Sequence, residues 1–109
     1  MSQLEIARNI IALYERHGWK LQRVLLTPES RAELANQSNA VLGSAVVESD
    51  FDAVWFARPS TEQREAWELR LISEQAYALF EAFEADEEED ARLEMRQEME
   101  NRMREYACR

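Results

Sequence analysis

Residues 52–58 read DAVWFAR, and the four residues Val54–Ala57 within them are apolar without alternation. A strand with one face in water alternates apolar and polar side chains, whereas a strand covered on both faces is often apolar throughout. This stretch therefore predicts the central strand of a small sheet, and the neighbouring segments are interpreted around it.

Three other stretches predict strands that accompany this one. Residues 66–72 alternate apolar and charged side chains, which indicates a strand with one wet face, after a turn at residues 59–61. Residues 19–26 are rich in residues that favour strands, and residues 45–48 form a short strand shortly before the central one. The short connections favour antiparallel hairpins among the last strands.

A short helix is expected between the first two strands. Thr27 is a candidate N-cap, and Pro28 suits the first helical position because its missing N–H would have no partner there. The helix is expected over residues 29–35, followed by a polar loop over residues 36–44. The strand–helix–strand unit over residues 19–48 is expected to add one parallel pairing to the sheet.

The N-terminal segment predicts a strongly amphipathic helix. Its apolar residues fall on one half of the helical wheel, and most of its polar residues fall on the other half. Ser2 is a candidate N-cap with Glu5 three residues later, which is the spacing of a capping box. Gly18 is expected to end the helix, since glycine adopts the left-handed conformation without steric cost.

The segment from residue 73 to residue 109 contains no glycine and no proline and predicts helix. Ser73 is a candidate N-cap for a helix whose apolar arc contains Phe80 and Phe83. A single helix of this length would exceed the diameter of the domain, so we predict a break near Asp86, which would cap a second helix. The alternative is one long helix that projects from the domain and meets a partner.

Glutamate–arginine pairs at i,i+4 spacing support the last helix. They are Glu88–Arg92, Glu98–Arg102, Glu100–Arg104 and Glu105–Arg109. The apolar side of this helix carries Met95, Met99 and Met103, and methionine suits both irregular cores and adaptable interfaces. The helix is therefore expected either to pack on the domain or to pair with its counterpart in a second chain.

Together these elements predict an α+β fold in the order α-β-α-β-β-β-α-α. The expected sheet is small and mainly antiparallel with about three or four strands, helices cover one of its faces, and a long charged helical segment ends the chain. Residues 1–85 are expected to form a compact α+β domain. Residues 86–109 are expected to form a charged C-terminal helix that packs on this domain or serves in association.

The net charge of −9 is concentrated in residues 81–90, which contain seven carboxylates and no basic residue. Carboxylates stabilise the first turn of a helix, where the helix dipole is positive, and we favour this interpretation of the acidic run. A docking surface for a basic partner and a mimic of nucleic acid are the alternatives. Specific binding of Ca²⁺ is disfavoured, because the run lacks the alternation and the glycine of an EF-hand loop.

The sequence predicts no catalytic, cofactor-binding or metal-binding residues. His17 is the only histidine and Cys108 the only cysteine, which excludes a structural zinc site with four Cys or His ligands. We expect His17 to cap helical carbonyls or to pack beside Trp19 rather than to activate a nucleophile. Gly18 and Gly43 are far apart, so the sequence contains no glycine-rich phosphate loop.

Aromatic residues are concentrated in or beside the predicted strands. They are Trp19, Phe51, Trp55, Phe56 and Trp67. We expect them to form the core of the sheet beneath the helical regions. On an uncovered face of the sheet they would instead form an interaction patch.

These observations favour a small, soluble, non-catalytic cytoplasmic protein that acts through a protein partner or as a homodimer. The negative charge disfavours direct binding to nucleic acid, and no apolar stretch is long enough to cross a membrane. A single cysteine suits a reducing compartment. The alternatives are a small-molecule-binding or enzymatic domain with an aromatic-lined pocket between sheet and helices, and an acidic mimic that binds a basic partner. No cofactor is expected, and the sequence identifies no small-molecule ligand.

Overall fold

The computed structural model describes residues 2–36 and 46–108 of the chain. Within these ranges the helices are α1 (Gln3–Arg16), α2 (Pro28–Asn36) and α3 (Glu89–Ala107). The strands are β1 (Lys20–Leu26), β2 (Val46–Glu48), β3 (Ala53–Pro59), β4 (Glu65–Leu71) and β5 (Ala78–Phe83), with a 3-10 turn (Thr61–Gln63) between β3 and β4. The loop predicted over residues 36–44 lies outside the described residues except for its first residue, which ends α2.

The strands form one five-stranded sheet in the order β2-β1-β3-β4-β5. β1 pairs in parallel with β2, and the other neighbours are antiparallel. The predicted α+β class, the parallel pairing and the central position of β3 are confirmed. The expected number of three or four strands is wrong because a fifth strand, β5, forms where the sequence predicted a helix.

Both faces of the sheet are covered, so the prediction of helices on one face is wrong. On the first face, which we call the α1 face, the helix α1 packs on alternate strand residues. These contacts bring together Leu4, Ala7, Ile10 and Ile11 of α1 with Val24, Leu26, Val54 and Phe56 of the strands. On the opposite face, the α3 face, Met99 and Met103 pack on Leu25, Trp55 and Leu69. The apolar run Val54–Ala57 is buried on both sides, as a central strand requires.

The ends of α1 and the start of α2 follow the predicted signals. The backbone N–H of Glu5 donates to Ser2 Oγ at 3.2 Å, which caps α1. Gly18 has φ +86°, the left-handed conformation that ends the helix. The N–H of Ser30 donates to Thr27 Oγ1 at 3.3 Å, so Thr27 caps α2 and Pro28 occupies its first position.

The segment after β4 differs from the prediction. Ser73 does not cap a helix; its hydroxyl accepts from the N–H of Gln75 at 3.2 Å inside the turn that leads into β5. β5 pairs with β4 in a regular register, with Phe80 opposite Glu68 and Phe83 opposite Glu65. As a result Phe83 is buried, whereas Phe80 is 57 % exposed.

The predicted break before the last helix is confirmed, but its predicted N-cap is wrong. Glu88 occupies the N-cap position, two residues after the predicted cap Asp86, and α3 begins at Glu89. Arg92 fixes the preceding turn, because its guanidinium donates to the carbonyl oxygens of Glu84 at 2.7 Å and Glu87 at 3.2 Å. The acidic run is therefore shared between β5, a turn and the first turn of α3.

Candidate binding surfaces

His17 and Cys108, the only histidine and the only cysteine of the sequence, lie far apart. Cys108 is exposed, and its sulfur lies 3.6 Å from the carbonyl oxygen of Asp50. His17 occupies the C-cap position of α1, and its carbonyl oxygen accepts from Arg58 at 3.0 Å. His17 and Cys108 lie near opposite ends of α1, because Cys108 lines a cleft with Gln3, and so they do not form a nucleophile–base pair.

The aromatic residues mainly form the core, as predicted. Phe51, Trp55 and Phe56 are at most 3 % exposed, and Trp19 is 9 % exposed. Within residues 2–36 and 46–108, no group of three or more His, Cys, Asp or Glu side chains is placed to hold a metal ion. None of the helices in the same ranges combines the length and the apolar character that a membrane span needs.

A first candidate surface lies between α3 and β1. This tryptophan groove has a volume of about 190 Å³ and is lined by Gln22, Arg23, Trp55, Trp67, Leu93, Arg96, Gln97 and Glu100. The Trp55 indole N–H donates to Glu100 at 2.8 Å, and the Trp67 indole N–H donates to Glu65. Arg96 lies 4.6 Å above the Trp67 ring and donates to Glu89 at 2.6 Å. The groove is smaller than the roughly 300 Å³ typical of ligand pockets. Its two tryptophan N–H groups and the Arg96 guanidinium already have hydrogen-bond partners within the chain.

A second candidate is a more open cleft of about 340 Å³ beside Asp52. Asp52 Oδ2 accepts from Gln3 Nε2 at 3.0 Å and from Ser30 Oγ at 2.6 Å, and Oδ1 accepts from the N–H of Thr27 at 2.8 Å. These bonds join α1, β3 and the start of α2 through one carboxylate. The Asp52 carboxylate is thus occupied by structural bonds rather than offered to a ligand.

Asp50, which lines this cleft, forms an exposed ion pair with Arg104. Arg104 Nε donates to both carboxylate oxygens of Asp50, at 2.7 and 2.9 Å. These bonds with Arg104 hold the pKa of Asp50 below its ordinary value. The pair ties the C-terminal half of α3 to the segment that precedes β3.

The third candidate is the free side of β5. Ala78, Phe80 and Ala82 alternate along the α1 face and are exposed, because α1 covers the neighbouring strands but not β5. The Phe80 ring lies edge-on to Trp19 at 6.5 Å. Beside them lie Tyr14 and the 45 % exposed Leu13, which line a cavity of about 180 Å³ with Trp19. We call this set the β5 surface; its six residues are Leu13, Tyr14, Trp19, Ala78, Phe80 and Ala82.

The backbone of β5 has a free edge in addition to this apolar face. The N–H of Leu71 donates to the carbonyl of Tyr77 at 3.0 Å, which makes these two residues a hydrogen-bonded antiparallel pair. Since such pairs alternate along the ladder, the odd-numbered residues of β5 bond to β4. The N–H and C=O groups of Ala78, Phe80 and Ala82 therefore point away from the sheet, where no described residue pairs with them.

A tyrosine–glutamate hydrogen bond borders the β5 surface. The hydroxyl of Tyr14 donates to the carboxylate of Glu68, and the Tyr14 ring stacks on Phe56 at 4.2 Å between centroids. Burial of the phenol, reinforced by the bond to the negative Glu68, raises the pKa of Tyr14 well above its ordinary value. The phenol therefore stays neutral over the physiological pH range.

This shift predicts a loss of stability in alkali. Because the folded pKa of Tyr14 is raised, the unfolded chain ionises first, and the stabilisation is complete below about pH 10 and lost as the pH rises further. Urea unfolding at pH 8 and at pH 11 measures the decrease in the free energy of unfolding. This decrease should be smaller for the Tyr14→Phe variant than for the unmodified protein. A tyrosine ring resonance assigned to Tyr14 that titrates near pH 10 in the folded protein would contradict the expectation.

Comparison with protein-family models, with curated proteins and with solved structures finds no match to this chain, so the candidate surfaces are interpreted from their own geometry.

Proposed function

We propose that this protein is a non-catalytic interaction module that binds an extended segment of a partner protein along β5. The observation that carries the proposal is that Phe80, a large apolar side chain, is 57 % exposed on an edge strand. A strand added to such an edge gains main-chain hydrogen bonds, and its alternate side chains contact the apolar face. The β5 surface offers both features together.

The other candidate surfaces are less suited than β5 to binding a partner. The methionine side of α3, considered from the sequence as a dimer interface, is packed on the sheet: Met99 is 2 % and Met103 0 % exposed. In the tryptophan groove and at Asp52, the main polar groups form hydrogen bonds within the chain. The backbone groups of Ala78, Phe80 and Ala82, in contrast, have no partner among the described residues.

The proposal is tested by titration with a synthetic strand. An acetylated peptide of alternating threonine and valine with a central phenylalanine is added in excess to ¹⁵N-labelled protein. We expect chemical-shift changes at β5 and slower hydrogen exchange at the amides of Ala78, Phe80 and Ala82, because these N–H groups would donate to the peptide. The same peptide N-methylated at alternate residues should not bind.

Two single variants provide a matched comparison. Phe80 and Leu93 are 57 % and 58 % exposed, but Leu93 lies in the tryptophan groove. The Phe80→Ser variant should bind the peptide at least about tenfold more weakly, whereas Leu93→Ser should bind it normally. Shift changes centred on the groove, or none at β5, would refute the proposal.

A further inference from the structure

We propose that the segment that pairs with β5 is β5 of a second copy of this chain, so that two sheets join into one across a two-fold axis. The inference rests on the proposed function, since it uses the same edge and the same apolar face. A strand that pairs antiparallel with its own copy must present a self-complementary sequence. With a two-fold axis at Phe80, the residues on the α1 face meet this requirement, since Ala78 faces Ala82 of the second copy and Phe80 faces Phe80.

The alternation of side chains between the two faces of the sheet limits the registers in which β5 can pair with β5 of the second copy. A two-fold axis perpendicular to the sheet keeps the α1 face of one copy continuous with the α1 face of the other. The hydrogen-bonded pairs of the new ladder must also be formed by residues with outward-pointing backbone groups, which are Ala78, Phe80 and Ala82. Even-numbered residues must therefore pair with even-numbered residues of the second copy, and the axis passes through Phe80 or through a neighbouring odd-numbered residue.

The backbone of Glu84 selects the axis at Phe80. An axis at Glu81 would require Glu84 to pair with Ala78 of the second copy. The carbonyl of Glu84, however, already accepts from Arg92 at 2.7 Å, and its N–H lies 3.5 Å from a carboxylate oxygen of Glu87. An axis at Leu79 would pair Ala82 with Ala76, which lies outside β5 in the preceding turn.

Charge also disfavours the axis at Glu81. With the axis at Glu81, the two Glu81 carboxylates would lie directly opposite each other, which is unfavourable. With the axis at Phe80, Glu81 lies opposite Leu79 of the second copy, and the two carboxylates are diagonal neighbours. The rest of the acidic run, which follows β5, then lies at opposite ends of the paired strands.

The selected register places the two Phe80 side chains opposite each other, with Ala78 opposite Ala82 on either side. The Phe80 pair contributes two backbone hydrogen bonds and each alanine pair two more, or about six in all. The small alanines leave room for the Phe80 rings to pack on each other and on Trp19. Ala78, Phe80 and Ala82 thus provide the backbone hydrogen bonds, the apolar contact and the symmetric pairing.

Sedimentation equilibrium of the full chain tests the proposal over a range of concentrations. We expect a reversible monomer–dimer equilibrium that Phe80→Asp weakens at least about tenfold, while the equally exposed control Leu93→Asp leaves it unchanged. Glu81→Gln should tighten the dimer by about two- to fivefold, because it removes the diagonal repulsion. Circular dichroism confirms that each variant is folded.

Disulfide formation between single-cysteine variants tests the register without altering Phe80. In a Cys108→Ser background, Ala78→Cys and Ala82→Cys are oxidised separately and as a mixture. A hydrogen-bonded pair has Cα atoms about 5.5 Å apart, within the range of a disulfide, whereas residue 78 is four positions away from residue 78 of the second copy. We therefore expect the mixed disulfide dimer and little of either symmetric dimer.

Other outcomes separate the inference from the proposed function. A monomer at millimolar concentration that still binds the strand peptide along β5 overturns the inference alone. A monomer that does not bind the peptide overturns both. A dimer that is insensitive to Phe80→Asp and forms no mixed disulfide places the interface elsewhere and also overturns the inference.

Discussion

A chain that ends at Ala85 is expected not to fold cooperatively. Removal of α3 takes Met99 and Met103 out of the core and exposes Leu25, Trp55 and Leu69, all at most 2 % exposed in the intact chain. Burial of each large apolar side chain contributes about 1.5–3 kcal/mol, so the loss is on the order of 10 kcal/mol. This is comparable with the whole stability of a small domain.

Near-UV circular dichroism and thermal unfolding of the truncated chain measure this effect. The controls keep α3: Met103→Leu conserves volume and should cost less than about 1.5 kcal/mol, whereas Met103→Asp should approach the truncation. Addition of a peptide of residues 86–109 should restore part of the near-UV signal. A sharp unfolding transition for the truncated chain alone would instead support the sequence prediction that residues 1–85 form a compact α+β domain.

Replacement of Asp52 by alanine is expected to lower the free energy of unfolding by about 3 kcal/mol. The substitution removes three hydrogen bonds and leaves the Ser30 hydroxyl, whose residue is 5 % exposed, and the Thr27 N–H without their acceptor. Hydrogen bonds to a charged group contribute about 1.5–3 kcal/mol each, but solvent and rearrangement recover part of the loss.

Asp50 provides the matched control for this prediction. It lies two residues earlier and forms an exposed ion pair with Arg104, so Asp50→Ala should cost less than about 1 kcal/mol. Urea unfolding of the two variants at neutral pH gives both values. Equal losses for the two variants would show that the Asp52 carboxylate does not tie α1 and α2 to the sheet.

Much of the fold could be predicted because local signals and burial agree. The N-cap Ser2, the glycine at residue 18 and the Thr27-Pro28 pair each define an element end by backbone chemistry. The apolar run Val54–Ala57 correctly indicated a strand covered on both faces. Such a strand requires packing on both faces of the sheet, so the prediction of helices on one face was inconsistent with this run.

The segment over residues 76–83 shows why β5 was missed. Nearly every residue in it is apolar, so the pattern fits a helix and a strand equally well. Local sequence does not contain the deciding factor, which is the open edge of β4 with its backbone groups in register. Ala78, Phe80 and Ala82 alternate with Leu79, Glu81 and Phe83, but Glu81 is the only polar residue among the six, so no polarity pattern indicated the strand or the β5 surface.

The side-chain partners of the α3 residues could not be predicted from the sequence either. Of the spaced glutamate–arginine pairs expected there, Glu98–Arg102 forms at 3.0 Å. Arg104 instead bonds to Asp50, and Glu100 accepts from Trp55. Both alternatives exist only because α3 lies on the sheet, and tertiary partners of this kind replace pairs that a helix alone would form.

The packing of α3 also determines the chemical reactivity of the methionines. Met99 and Met103 are buried in one core cluster with Leu25 and Trp55, which shields their thioethers from dissolved oxidants while the helix is docked. Conversion to the sulfoxide would place a polar oxygen in this interface and prevent redocking. The rate of oxidation at these two sulfurs therefore reports how often the helix leaves the sheet, and an oxidised chain would be trapped open.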